Sequence, residues 1–244
     1  MVRVLITGAS GTLGRHLVAS RGLASHDLHC PNSTDLDVTD ARSVDATLCA
    51  IAPSVVIHCA ARIRTRGTDT ADERRAMSRV NVLGTGSLAE TAAKVGARFV
   101  YVSTDFVFDG SRSGGMYTED DLPCPLGYYP LTKFAGEGLV RVHPNSLIAR
   151  LSFNETWPYP KAFTDRFTSK LPAAQAAAQL AEAALSELCG VVHLGGPRQS
   201  YYDFARALGA DVEAMTMADV DSTDPLPVDT SLNSGRWRDY RRKK

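Results

Sequence analysis

Short apolar runs rich in β-branched residues alternate along the chain with stretches whose apolar positions recur at helical spacing. Val2–Thr7 is one such run, ending at Gly8, and predicts a buried strand. A helix starting at Leu13–Ser20 follows, then a short strand over Asp27–Cys30 and a helical pattern around Ser43–Ile51. Ser54–Ala60 and Arg98–Ser103 are two further clear strands, flanking one long helix from about Asp72 to Val95. Tyr129–Val142 reads as a helix closed by His143-Pro144, because proline disfavours helix in the residue before it. The pattern continues with strand Ser146–Leu151, an alanine-rich helix over Pro172–Leu188, strand Val191–Leu194 and helix Tyr201–Leu208. Ser111–Leu126, rich in Gly, Pro and acids, reads as a loop.

Strand alternating with helix implies a parallel sheet covered on both faces, an α/β doubly wound fold of the Rossmann type. Residues 1–152 are expected to form the dinucleotide-binding core. Residues 153–244 are expected to add a small C-terminal substrate lobe, interleaved with the last core strand and helix.

Length and charge narrow the function classes. The chain's 244 residues suffice for one large domain. Its 27 basic and 27 acidic side chains cancel, so no global field argues for nucleic acid or an anionic membrane as partner. The basic run Arg236–Lys244 is expected to be a solvated, frayed tail. Five scattered cysteines show neither a disulfide framework nor metal-ligand spacing, so no metal is expected. No apolar run reaches the roughly 20 residues of a membrane span, and Met1 opens directly into a strand. A reduced, cytoplasmic protein is expected.

Gly8-x-x-Gly11-x-x-Gly14 follows a strand and opens a helix. Glycines there allow a tight turn and close backbone approach to a pyrophosphate, while the helix start offers unpaired N–H groups. Ser10, Thr12 and Leu13 belong to the same turn and complete the expected cradle. An acid closing the second strand would mark NAD, but that strand ends in Cys30-Pro31. Arg15 faces either a 2′-phosphate or solvent, which favours NADPH and leaves NADH open. Asp37 and Val38 either flank the adenine or belong to the cap of the next helix, with Thr39 or Asp40.

Tyr129 and Lys133, four apart, share one helix face. An ammonium beside a phenol favours the phenolate and lowers a pKa that is ordinarily near ~10. Such a pair serves proton transfer during carbonyl reduction. His58, in an apolar strand, reads as a satisfied core histidine, and Glu137 as a structural helix residue.

These segments together resemble the extended short-chain dehydrogenases/reductases, in particular the dTDP-4-dehydrorhamnose reductase group. The resemblance rests on GASGTLG (8–14), LDVTD (36–40), VVIHCAA (55–61), VNVLGT (80–85), VYVSTDFVFDG (100–110) and YYPLTKFAGE (128–137). It implies that Thr104 hydrogen-bonds the substrate carbonyl, that Tyr129 donates the proton, and that Lys133 lowers the tyrosine pKa and holds the nicotinamide ribose. Ala60 and Ala61 would pass the cofactor, Cys59 beside them either joins them or is a small core residue of its strand, and Asn81 would act in a relay or bridge backbone groups at a helix kink. Asp105 fixes the loop after its strand or, with Phe106 and Phe153, faces the substrate. Arg62, Arg64 and Arg66 replace acids and a lysine of the group and either bind an anionic substrate group or are solvated. Arg150-Leu-Ser-Phe153 and a shorter segment between about 155 and 180 also depart from the group, implying a more open pocket. The expected activity is NAD(P)H-dependent reduction of a ketone on a nucleotide-linked 4-keto-6-deoxy sugar. A tailoring reductase of a non-nucleotide ketone or imine, and a non-catalytic NADP-binding regulatory subunit, are the alternatives. Relatives often dimerise through helices flanking the sheet, which leaves a homodimer open.

Overall fold

The computed structural model describes residues 1–63, 70–220 and 226–244. In chain order, β1 (Arg3–Thr7), α1 (Thr12–Val18), β2 (Asp27–His29), α2 (Ala41–Ile51) and β3 (Val55–His58) come first. Then α3 (Ala71–Ser78) runs through a π-helical segment, Arg79–Gly84, into α4 (Thr85–Lys94). β4 (Arg98–Thr104), α5 (Tyr128–Arg141) and β5 (Ser146–Leu151) follow. The remainder holds the short strands β6 (Phe153–Asn154), β7 (Lys161–Phe163), β8 (Phe167–Thr168) and β9 (Leu171–Pro172), then α6 (Ala173–Ala184) and β10 (Gly190–Leu194). β11 (Gln199–Ser200), α7 (Tyr201–Ala207), β12 (Glu213–Met215) and α8 (Gly235–Arg242) complete the order.

Alternation along the strands builds the core. Successive side chains of a strand point to opposite faces, so a strand apolar at every position must be covered on both. In β1, Val4 and Ile6 join Val55 and Ile57 of β3 on the face packed by α1 and α6. Leu5 and Val56 face the other way, toward α2 and α4. The six-stranded sheet has the order β10-β5-β4-β3-β1-β2 and is parallel throughout. β1 lies between β2 and β3, so the chain reverses its winding there and opens a crevice at the C-terminal strand ends.

One expectation gains a detail and another needs correction. The long helix over 72–95 contains a π segment, and Asn81 sits in it, fully buried. The basic tail is not frayed: Gly235–Arg242 is helical, Trp237 is 2% exposed in the core, and Arg236 donates to the carbonyls of Val191 and Cys189. Trp237 and Tyr240, one turn apart, stack at 5.8 Å and give the helix an apolar face that its charge count hides.

The segment after β5 makes three small strand pairs, β6 with β9, β8 with β11 and β7 with β12. It also returns α6, β10 and α8 to the core. Among the described residues, no helix is long and apolar enough to cross a membrane, and no group of three or more His, Cys, Asp or Glu is placed to hold a metal.

Candidate functional site

The glycine turn between β1 and α1 lies under the loop after β3. Gly8 has φ of +69°, and a Cβ there would fall 2.6 Å from the Ala60 nitrogen, so only glycine fits. The close approach is fixed from below: Thr7 Oγ1 accepts from the Ala60 N–H and bonds His58 Nδ1 at 2.6 Å. His58 Nε2 meets Thr85 Oγ1 at 3.1 Å. With both nitrogens answered, and burial pulling its pKa down to about 3, His58 is the neutral core histidine expected.

Two cavities meet over this turn, sharing Gly8, Gly11, Cys59 and Ala61. One, of about 510 Å³, lies beyond β2 and is lined by Ser10, Asn32, Ser33, Asp37, Val38 and Ala60, among others. Asp37 accepts from the Thr39 N–H and hydroxyl, while Asp40 caps α2 by accepting from the Arg42 N–H. The second, of about 350 Å³, takes Thr12, Leu13 and Gly14 on one side and Thr104, Tyr129 and Lys133 on the other. Together they form one groove, floored by glycine backbone, along the C-terminal ends of the strands. A cavity of this shape, with a cation at either end, fits a dinucleotide, and Gly8 to Gly14 with Lys133 would hold it.

β4 and α5 bring Thr104, Tyr129 and Lys133 together. Lys133 is 3% exposed; its Nζ lies 4.1 Å from the Tyr101 ring centroid and has no hydrogen-bond acceptor among the described residues. Burial lowers its pKa to about 7, against the pull of Cys59 and Glu137. Burial likewise pushes the Tyr129 phenol well above its ordinary value, and Asp105 adds to the rise. In this arrangement burial outweighs the expected lowering of the phenol by Lys133. A lysine whose own pKa lies near 7 is charged only part of the time at neutral pH, which weakens its pull on the phenol. Thr104 Oγ1 donates to Asp105 Oδ1 at 3.1 Å and accepts from the Phe106 N–H. To serve a substrate oxygen its proton must turn away from Asp105.

Most residues expected at the site line the groove, including Phe106 and Phe153. Three depart from their expected places. Arg15 lines neither cavity: it donates to the Ser10 carbonyl and pairs with Glu155 at 3.1 Å. Arg62 lines the cavity beyond β2 rather than the Tyr129 end, with its guanidinium bidentate on Glu73 at 3.1 and 3.0 Å. Asp105 is fully buried behind Thr104, its other oxygen accepting from Thr230 at 2.8 Å. Arg64 and Arg66 lie outside the described residues.

Asn81 bridges backbone and helix. Its Oδ1 accepts from the Arg62 N–H, and its Nδ2 donates to the Arg62 carbonyl and to Thr132 Oγ1. Glu137 accepts two hydrogen bonds from buried Arg150, at 2.9 and 2.7 Å, and one from Ser103 at 2.6 Å. It braces α5 against β4 and β5.

Sequence reasoning missed Ser152 and Lys170, which line the cavity around Tyr129, the reaction cavity of the proposal below. It also missed a third cavity of about 580 Å³, lined by Trp157, Tyr159, Phe163, Arg166 and Tyr201. The aromatic content of 157–163 was the available signal.

The same architecture recurs in known proteins. Residues 2–171 match the family described as RmlD substrate binding domain. Methionine adenosyltransferase 2 subunit beta of Mus musculus is 37% identical over 145 residues, covering 57% of this chain and 42% of that protein. The dTDP-4-dehydrorhamnose reductase of Mycobacterium tuberculosis is 35% identical over 165 residues, covering 66% of this chain and 53% of that enzyme. The matches thus span about half the length of these relatives. A crystal structure of dTDP-4-dehydrorhamnose reductase from Bacillus anthracis in complex with NADP superposes with a TM-score of 0.86 at 25% identity, over 98% of this chain and 92% of that one. With the family match running over residues 2–171, from β1 into β9, the chain belongs to the RmlD substrate binding domain family.

Proposed function

We propose that the chain is an NADPH-dependent reductase of a ketone carried on a nucleotide-linked 4-keto-6-deoxy sugar. The convergence of Thr104, Tyr129 and Lys133 on a cleft continuous with the glycine-floored groove carries this reading. The similar reductase crystallised with NADP supports NADPH as cofactor, with NADH as a second possibility. When bound, the nicotinamide supplies the hydride. Tyr129 passes its phenolic proton to the carbonyl oxygen, completing the alcohol, and Thr104 donates to the same oxygen once released from Asp105. Lys133, free of other acceptors, holds the ribose side and offsets the charge left on the phenolate.

NADPH oxidation with dTDP-4-keto-6-deoxyglucose, or its epimerised form, tests the reading. Turnover should fall about 10²- to 10⁴-fold in Tyr129→Phe with cofactor affinity kept. Full turnover in that variant would remove the mechanism. The similarity to methionine adenosyltransferase 2 subunit beta supports a second reading, a non-catalytic subunit. Its mark would be stable binding to a methionine adenosyltransferase together with no oxidation of NADPH by any ketone offered.

A further inference from the structure

The reaction cavity and the aromatic-lined third cavity share two residues, Phe106 and Lys170. Lys170 follows β8 and precedes β9, and it is 8% exposed. Its Nζ donates to Ser152 Oγ at 2.7 Å, the one hydrogen bond it makes among the described residues. The rings of Phe106 and Tyr201 flank it at 5.7 and 5.9 Å.

A lysine buried for structural reasons ordinarily pairs with a carboxylate. Lys170 forms no ion pair among the described residues. Asp105, the acid that acts on it electrostatically, spends its two oxygens on Thr104 and Thr230. Two of the three ammonium donors are left without a partner in a desolvated place, a costly arrangement unless a ligand answers them. Arg166, which also lines the third cavity, acts against the Lys170 charge and makes the throat where the two cavities join more electropositive. A molecule reaching from Tyr129 into the third cavity must pass this ammonium.

We propose that Lys170, steadied by Ser152, binds the phosphate next to the sugar of a nucleoside-diphosphate substrate, with the reducible ring in the reaction cavity and the nucleoside in the aromatic cavity. The proposal rests on the nucleotide-sugar reading above. A hexose ring places its C1 phosphate one ring's width from a C4 carbonyl, and Lys170 and Tyr129 line the same cavity. The walls of the third cavity suit a nucleoside: Trp157 meets Tyr159 and Tyr201 edge-on at 5.3 and 6.0 Å, presenting aromatic surface for a base.

Calorimetry on the full chain saturated with NADP⁺ tests this, using thymidine diphosphate, thymidine and glucose 1-phosphate as probes. Lys170→Met should weaken thymidine diphosphate about tenfold or more, the worth of one charge-assisted hydrogen bond. Lys170→Arg should stay within about threefold, since it keeps the charge. Thymidine and NADP⁺ should bind both variants as they bind the native protein, which also certifies folding. Unchanged thymidine diphosphate affinity in Lys170→Met, or an equal loss for thymidine, would overturn the assignment. If thymidine diphosphate fails to bind the native protein but glucose 1-phosphate binds with the same Lys170 dependence, the nucleotide reading falls and the anion site stands. Failure of both phosphorylated probes on the native protein would sink the anion site itself.

Discussion

Lys133 sits among Cys59, Glu137 and the Tyr101 ring, where burial holds its pKa near 7 against an ordinary 10.5. Between those two values the unfolded chain keeps the lysine proton and the folded chain does not. Stability must therefore rise with pH across that window and level off below it. Denaturant unfolding at a series of pH values, native against Lys133→Met, should show a difference that grows in favour of the native protein from about pH 7 toward 10. A difference flat in pH would mean that the ammonium is better solvated than its surroundings indicate. Arg62 carries a second expectation at this scale. It lines the cavity beyond β2, where Asp37 and Val38 also stand, and its half-exposed pair with Glu73 can yield to a phosphate. Arg62→Ala should raise KM for NADPH about tenfold while leaving KM for NADH in place. Equal changes for both cofactors would reduce the arginine to a brace for the loop after β3.

The helix that carries the pair, α5, is positioned by close backbone approach. A Cβ on Gly136 would lie 2.4 Å from the Tyr101 hydroxyl and 2.9 Å from the Asn81 carbonyl, so α5 touches both β4 and the π segment there. Gly136→Ala must push the helix outward, at a cost of about 1–3 kcal/mol for overpacking. Because Tyr129 and Lys133 ride on the same helix, turnover should fall by more than cofactor affinity does. Kinetics that match the native protein alongside the stability loss would show that the helix re-seats without moving the pair. The glycine was legible as part of the F-A-G-E run, but its reason was not. The π segment places Asn81 against Thr132 and Arg62, and no periodicity within residues 72–95 announces one extra residue in a turn.

Across the whole molecule, what could be foreseen follows from local rules and what could not follows from long-range assembly. The parallel sheet came from apolar runs in strands buried on both faces, and the groove from three glycines after a strand. Lys170 and Ser152 belong to no motif; β9 pairs with β6, and only that pairing brings them together. The C-terminal helix failed for a different reason, since its net charge masks two aromatic residues on one face. Trp237 buries its ring against the core beside β10, which pairs with β5 next to β4, the strand that ends in Thr104. Its Nε1 is buried without a partner among the described residues, so the ring contributes through packing rather than polarity. Trp237→Ala should then cost about 3–5 kcal/mol in denaturant unfolding, the range for emptying an aromatic site. Trp237→Phe should recover most of that loss, because it keeps apolar volume and removes the unanswered donor. If the alanine variant loses less than about 1 kcal/mol, α8 is bound to the core only by its arginine contacts to Val191 and Cys189.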